Sequence, residues 1–239
     1  MCGRFTLTTN DYDAVARALD AQYNPELLGS FVARYNIAPS DPHWIVCEET
    51  GSRGRWIEPA TWGFPAGDRV LINARSETVH QRPSFAASLW SRRCGVIADG
   101  FLEWSGPKGS RQPYWFRRPD RKPFLFAGLY RDDVDPSSGE VQRRFTVLTT
   151  TPNAPVAVHH DRMPVMLDAA AADLWLRWRP SQHAVSALSE ISSLFAPTDD
   201  TWLESIPVSK RVGNVANDDP SCLERVEPPP PAPRQQSLF

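Results

Sequence analysis

Residues 123–130, PFLFAGLY, and residues 143–150, RRFTVLTT, are short runs dense in β-branched and aromatic side chains, the composition of strands that pack on at least one face. Two more such runs stand upstream, HWIVCEE (43–49) and RCGVIA (93–98). Their spacing is too irregular for a repeat. Helical signals are few. Asn10 ahead of DYDAVARAL predicts an N-cap and a short amphipathic helix with Val15, Ala18 and Leu19 on one face. Asp168 is placed to cap a helix through AAADLWLRW that Pro180 ends, and AVSALSEISSLF (184–195) predicts another helix. Strands and helices that do not alternate regularly argue against a doubly wound parallel sheet. They predict an α+β fold, a curved and mostly antiparallel β-sheet or open barrel core with peripheral helices.

The chain has 239 residues, 41% of them hydrophobic, enough to bury a sizeable core. Nine Trp and eleven Phe beside 23 Pro suggest a loop-rich architecture rather than a helical bundle. From Val226 onward the composition shifts to EPPPPAPRQQSLF, which cannot bury a core. The expected organisation is therefore one folded domain over 1–225 and a disordered, proline-rich tail over 226–239. A formal charge of -2 means that any nucleic-acid contact must come from a local basic patch. The four cysteines form no CxxC pair and no leader-like segment opens the chain, so a reduced, cytoplasmic protein is expected. No apolar run nears the about 18 residues that span a bilayer. Adjacent His159 and His160 lack acidic or Cys neighbours at ligand spacing, so neither a metal nor another cofactor is expected.

The opening MCGRFTL places a cysteine second. Removal of Met1 leaves Cys2 with a free α-amine, titrating near about 8, and a thiol near about 8.5. Such a pair traps an aldehyde twice: the amine forms a Schiff base, then sulfur adds to the imine carbon and closes a five-membered thiazolidine. The competing reading of an isolated Cys2 is a small buried hydrophobe.

Four further segments combine polar and aromatic residues as a core would not require: RYNIAPS (34–40), LINARSET (71–78), ADGFLEW (98–104) and HHDRMPVML (159–167). Together with MCGR, in this order, they resemble the signature blocks of the SRAP family, the SOS response-associated peptidase-like proteins that crosslink to abasic sites in single-stranded DNA. Two departures are visible. Ala98 stands where the family usually has proline, and the segment between Trp62-Gly63 and LINARSET is short. The resemblance implies an SRAP fold over 1–225, nucleoid association, a role in the DNA damage response, and thiol-dependent crosslinking with AP-lyase-like and autopeptidase activity. Either the protein's own site or a general aminopeptidase removes Met1.

An abasic deoxyribose is mostly a closed hemiacetal, so a catalyst must open the ring before an aminothiol can react. Glu103 beside Trp104 is suited to move that proton, because desolvation favours its acid form. His160, directly before DRMP, can exchange protons during imine formation and closure. Asn73 offers an amide for a sugar oxygen or the α-amine. Cys2, Asn73, Glu103 and His160 are thus the catalytic candidates. Arg4, Arg75 and Arg162 carry forks suited to phosphate, Trp62 and Trp104 can stack on bases, and Asn36 and Pro39 are further groove candidates. Binding through such contacts reads the lesion and single-strandedness, not sequence.

The terminal QQSLF resembles the short peptide that docks on bacterial sliding clamps, with Gln235, Leu238 and Phe239 as anchors on a semi-rigid PPPPAP spacer. Two rival functions stand beside the crosslinker. One is an N-terminal nucleophile glutamine amidotransferase, which also begins MCG but needs glutamine-binding elements not found here. The other is a non-covalent single-stranded DNA-binding module in which Cys2 is structural. A monomer is expected.

Overall fold

The computed structural model describes residues 2–48, 54–134, 139–180 and 185–227. The four runs read as strands are strands, and with Arg55–Trp62 they close on one another. Val141–Thr150 pairs antiparallel with Phe124–Val134, which pairs with Arg93–Ala98, then Pro42–Cys47, then Arg55–Trp62. Arg55–Trp62 returns to Val141–Thr150 in parallel, with Thr61 opposite Arg144 and Trp62 opposite Phe145. The result is a five-stranded mixed barrel. Its closure rests on a parallel pairing between segments about eighty residues apart, which no local pattern announces.

A second, five-stranded sheet lies outside the barrel in the order Glu204–Pro207, Gln112–Arg117, Gly100–Ser105, Phe5–Leu7, Arg34–Ile37. Phe5 from this outer sheet packs edge-on against His43, Trp62 and Phe126 of three barrel strands, at ring-centroid distances of 4.7, 4.9 and 5.9 Å. On the opposite face, Leu102 and Trp115 form a small second core with Val208, Val212 and Cys222 of the C-terminal segment.

The helices are peripheral. Ala169–Arg177 is capped by Asp168, whose carboxylate accepts from the Ala171 amide at 2.8 Å. Arg93 joins it to the helix Pro83–Ser91. Its guanidinium donates to the carbonyls of Leu89, Trp175 and Trp178 and lies 4.9 Å from the Trp178 ring centre. Burial lowers its pKa to about 9.

Two local expectations need correction. The first helix, Tyr12–Ala18, is capped by Asp11 and not by Asn10, because the Asp11 carboxylate is the one that reaches the Ala14 amide. Its inner stripe is Tyr12, Val15, Ala16 and Leu19, while Ala18 faces solvent. The helix expected over 184–195 is two 3-10 turns, Val185–Glu190 and Ser192–Phe195, with Ala184 outside the described residues. Ser189 and Ser192 bond back to the carbonyls of Ser186 and Ser189, competing with the α-helical ladder. Among the described residues no helix is long and apolar enough to cross a membrane.

Candidate active site

Four of the predicted residues converge from four separate elements between the barrel and the outer sheet. Alternation along Gly100–Ser105 sends Phe101 and Glu103 toward the barrel and Leu102 and Trp104 toward the C-terminal segment. Glu103 is therefore 4% exposed. Cys2 is buried just ahead of Phe5–Leu7 and is held alongside this strand by the Leu102 amide, which donates to the Arg4 carbonyl at 3.0 Å. Asn73 begins the short strand Asn73–Arg75, parallel to the barrel strand at Val147. Its side-chain amide donates to the Cys2 carbonyl at 2.8 Å. The Asn73 side-chain oxygen, Oδ1, is buried and without a hydrogen-bond partner among the described residues.

His160 follows the turn of helix Ala154–Ala157, whose Val156 carbonyl accepts from the His160 amide at 2.9 Å. The His160 ring places Nε2 3.9 Å from Glu103 Oε2 and accepts at Nδ1 from the Arg162 amide at 3.0 Å. Asp161 lies beside the same Nδ1 at 3.0 Å. His159 instead packs at a tilt against Tyr114, 3.9 Å between ring centres, and meets Ser205.

Desolvation sets the protonation states. It raises Glu103 to about 7, so that this carboxyl holds a proton near neutrality. The Cys2 thiol is pushed well above its ordinary value by burial, with the Glu103 charge adding to it. Burial lowers His160 and keeps its ring neutral. The thiol is thus stored as S–H, leaving the amine as the first nucleophile once Met1 has gone.

The expected DNA contacts divide. Arg75 and Pro39 are exposed and Trp104 is half-buried, with the Arg4 guanidinium 5.8 Å from its ring centre. Trp62 cannot stack on a base: it is 0% exposed, parallel to Phe145 inside the barrel, and donates to the Ile72 carbonyl. Asn36 is also fully buried. It accepts from Arg4 at 2.8 Å and donates to the carbonyls of Asn214 and Asn217, so it fastens the C-terminal segment and holds Arg4 in place. Arg162 is already committed, with both terminal nitrogens on Glu77 at 2.6 and 2.9 Å and one on the Thr149 carbonyl. Gln235, Leu238 and Phe239 lie outside the described residues.

Sequence reasoning passed over Glu77 although it stands inside LINARSET. It also missed Asp218, which accepts from the amides of Tyr35 and Asn36 and from the Arg34 guanidinium. Nothing local marks Asp218, because its partners are about 180 residues away.

A protein family described as SOS response associated peptidase (SRAP) matches residues 1–215. The chain belongs to the SRAP family. Among its SRAP relatives are the abasic site processing protein YoqW of Bacillus subtilis (strain 168), 33% identical over 94% of this chain and 99% of the relative, and the abasic site processing protein YedK of Escherichia coli (strain K12), 31% identical over 95% and 100%. The SRAP fold extends to a crystal structure of a protein from Bacteroides thetaiotaomicron, with a TM-score of 0.77 at 23% identity, covering 95% of this chain and all of that one.

Proposed function

We propose that this protein processes abasic sites by crosslinking to them in single-stranded DNA, through a thiazolidine formed by Cys2 after Met1 is removed, and so protects the lesion. One observation carries the reading: a buried carboxyl group that keeps its proton to about pH 7 stands 3.9 Å from a neutral imidazole and beside a cysteine next to the chain start. The names of the bacterial relatives support the substrate class.

In the proposed sequence Glu103, as acid, protonates the ring oxygen of the hemiacetal while the anomeric hydroxyl loses its proton to a neighbouring base, and the aldehyde opens. The Cys2 amine adds to it, and the carbinolamine leaves water to give an imine. The thiol then adds to the imine carbon, its proton passing to the imine nitrogen through Glu103 and His160. Aminothiol and aldehyde give thiazolidine and one water. Asn73 is a positioning residue, fixing the Cys2 backbone through its carbonyl. The same imine accounts for AP-lyase-like cleavage when ring closure fails. The exposed Arg75 and half-buried Trp104 supply phosphate and stacking contacts that do not read sequence.

The test is incubation of an oligonucleotide bearing one abasic site with native protein, with Cys2→Ala and with protein that retains Met1. Only the first gives a denaturation-resistant adduct. An equal yield from Cys2→Ala would assign the covalent bond to another nucleophile, and salt-sensitive binding that ignores the lesion, with no denaturation-resistant adduct from any of the three, would remove the reading in favour of a non-covalent DNA-binding module.

The reading extends to the tail, where Gln235, Leu238 and Phe239 dock on a bacterial sliding clamp. Titration of the last dozen residues as a peptide into purified clamp tests this, and absence of saturable binding would refute it.

A further inference from the structure

The outer face of the outer sheet carries a concavity away from Cys2. Its volume is about 380 Å3, the size of a small-ligand site, and Thr8, Tyr35, Trp115, Arg117, Arg121 and Arg225 line it. It lies near the Gly100 end of the strand Gly100–Ser105. Arg117 stands opposite Gly100 and Glu204, whereas Glu103 lies farther along that strand and on its other face. Trp115 packs on Gly100, where a Cβ would come within 2.1 Å of the indole nitrogen, and that nitrogen donates to the Thr6 hydroxyl at 3.1 Å. The Arg117 guanidinium rests 4.8 Å from the Trp115 ring centre.

Three guanidinium groups line this pocket, and the carboxylates of Glu204 and Asp99 nearby are already engaged. Glu204 accepts from Arg117 at 2.8 Å, and Asp99, behind Thr8, accepts from Thr6 and from the Thr8 amide and hydroxyl. Arg121 and Arg225 are exposed, and among the described residues neither side chain has a hydrogen bond or ion pair. Arg121 also adopts φ 58°, the left-handed region, in a turn closed by its amide on the Arg118 carbonyl at 3.1 Å. Glycine or asparagine suits such a position better than arginine, so the turn itself does not call for this side chain.

We infer that this pocket binds a nucleotide, the phosphate held by Arg121 and Arg225 and the base set against the Tyr35 side of the cavity. Guanidinium forks match phosphate oxygens, and an aromatic wall accepts any base face. The nucleotide is either free or the phosphorylated 5′ end of a DNA strand. The site does not use Cys2, so it stands or falls independently of the crosslinking chemistry.

Calorimetric titration of the full chain with deoxyadenosine 5′-monophosphate tests this, beside deoxyadenosine and a pair of short intact oligonucleotides with and without a 5′ phosphate. Saturable binding of the mononucleotide is expected, with deoxyadenosine at least tenfold weaker, and a 5′ phosphate is expected to add to whatever affinity the oligonucleotide draws from the Cys2 site. An increment in oligonucleotide affinity that requires the 5′ phosphate and is lost in Arg121→Gly assigns a strand end, and mononucleotide binding without that increment assigns a free nucleotide. Arg121→Gly and Arg225→Gln are each expected to weaken binding about tenfold or more, while Arg121→Gly melts no lower than native protein because glycine relieves the left-handed turn. Absence of saturable binding by both phosphorylated ligands, equal binding of their unphosphorylated partners, or unchanged affinity in both variants would overturn the site. Crosslinking to abasic DNA by the two variants, measured in parallel, reports separately on Cys2.

Discussion

Glu103 titrates at about 7 in the folded protein, against an ordinary carboxyl value of 4.5. The folded state therefore holds a proton that the unfolded chain releases, and this group's contribution to stability is full below about pH 4.5 and is lost as pH rises toward 7. The loss amounts to about 3 kcal/mol at most, since a tenfold change in proton affinity is worth about 1.4 kcal/mol. Glu103→Gln keeps the shape without the charge. It is expected to raise the melting temperature at pH 8 and to leave it nearly unchanged at pH 4.5, a difference that scanning calorimetry at the two pH values reads directly. Activity should move the other way, with crosslinking slowed about 100-fold or more when the acid is removed. In native protein the rate requires Glu103 protonated and the Cys2 amine, with a pKa near about 8, deprotonated, so it should peak between pH 7 and 8. The Gln variant should lose the alkaline fall and keep only the acidic one. A native alkaline limb that persists in the variant would assign the proton to another group. His160→Ala should leave DNA affinity within about twofold while slowing closure or reversal of the crosslink, and equal kinetics would place His160 outside the chemistry.

Elements, more than single residues, set what can be read in advance. Four barrel strands are legible because β-branched and aromatic runs are a local property, and Asp168 announces its helix because a cap acts over three residues. Glu103, Asn73 and His160 are legible through their blocks, and the structure explains why they meet. Trp62 and Asn36 mislead for a physical reason: an indole or amide committed to the core has the same sequence appearance as one offered to a ligand, and only tertiary partners distinguish them. Those partners give Asn36 a testable role. Asn36→Ala removes bonds to Arg4, Asn214 and Asn217, and should destabilise the fold by about 2–4 kcal/mol while opening residues 210–223 to proteolysis. Weaker DNA binding with unchanged stability and protease resistance would restore Asn36 to the DNA groove. Arg93→Ala should cost about 3 kcal/mol or more in urea melts, since three carbonyl acceptors at the junction of two helices and the barrel lose their donor.

The whole molecule separates a closed barrel from an outer sheet that carries two of the four catalytic candidates or their flanking residues. Glu103, Cys2 and Arg4 belong to the outer sheet or its edge, while Asn73 and His160 reach them from segments bound to the barrel strand Val141–Thr150. Any motion that slides the sheet over the barrel therefore changes the geometry of all four catalytic candidates together. Residues 228–239 lie outside the described residues. Deletion of residues 228–239 is expected to leave the melting temperature and the crosslinking rate unaltered and to remove binding to a sliding clamp, as judged by surface plasmon resonance. The decisive experiment is intact mass spectrometry of Met1-processed protein after incubation with a single-stranded oligonucleotide bearing one abasic site, without added reductant. Thiazolidine formation predicts one adduct, lighter than the sum of protein and oligonucleotide by one water, stable to denaturation and absent from Cys2→Ala. Recovery of unmodified protein and DNA from correctly processed chain, or an adduct that survives loss of Cys2, would contradict it.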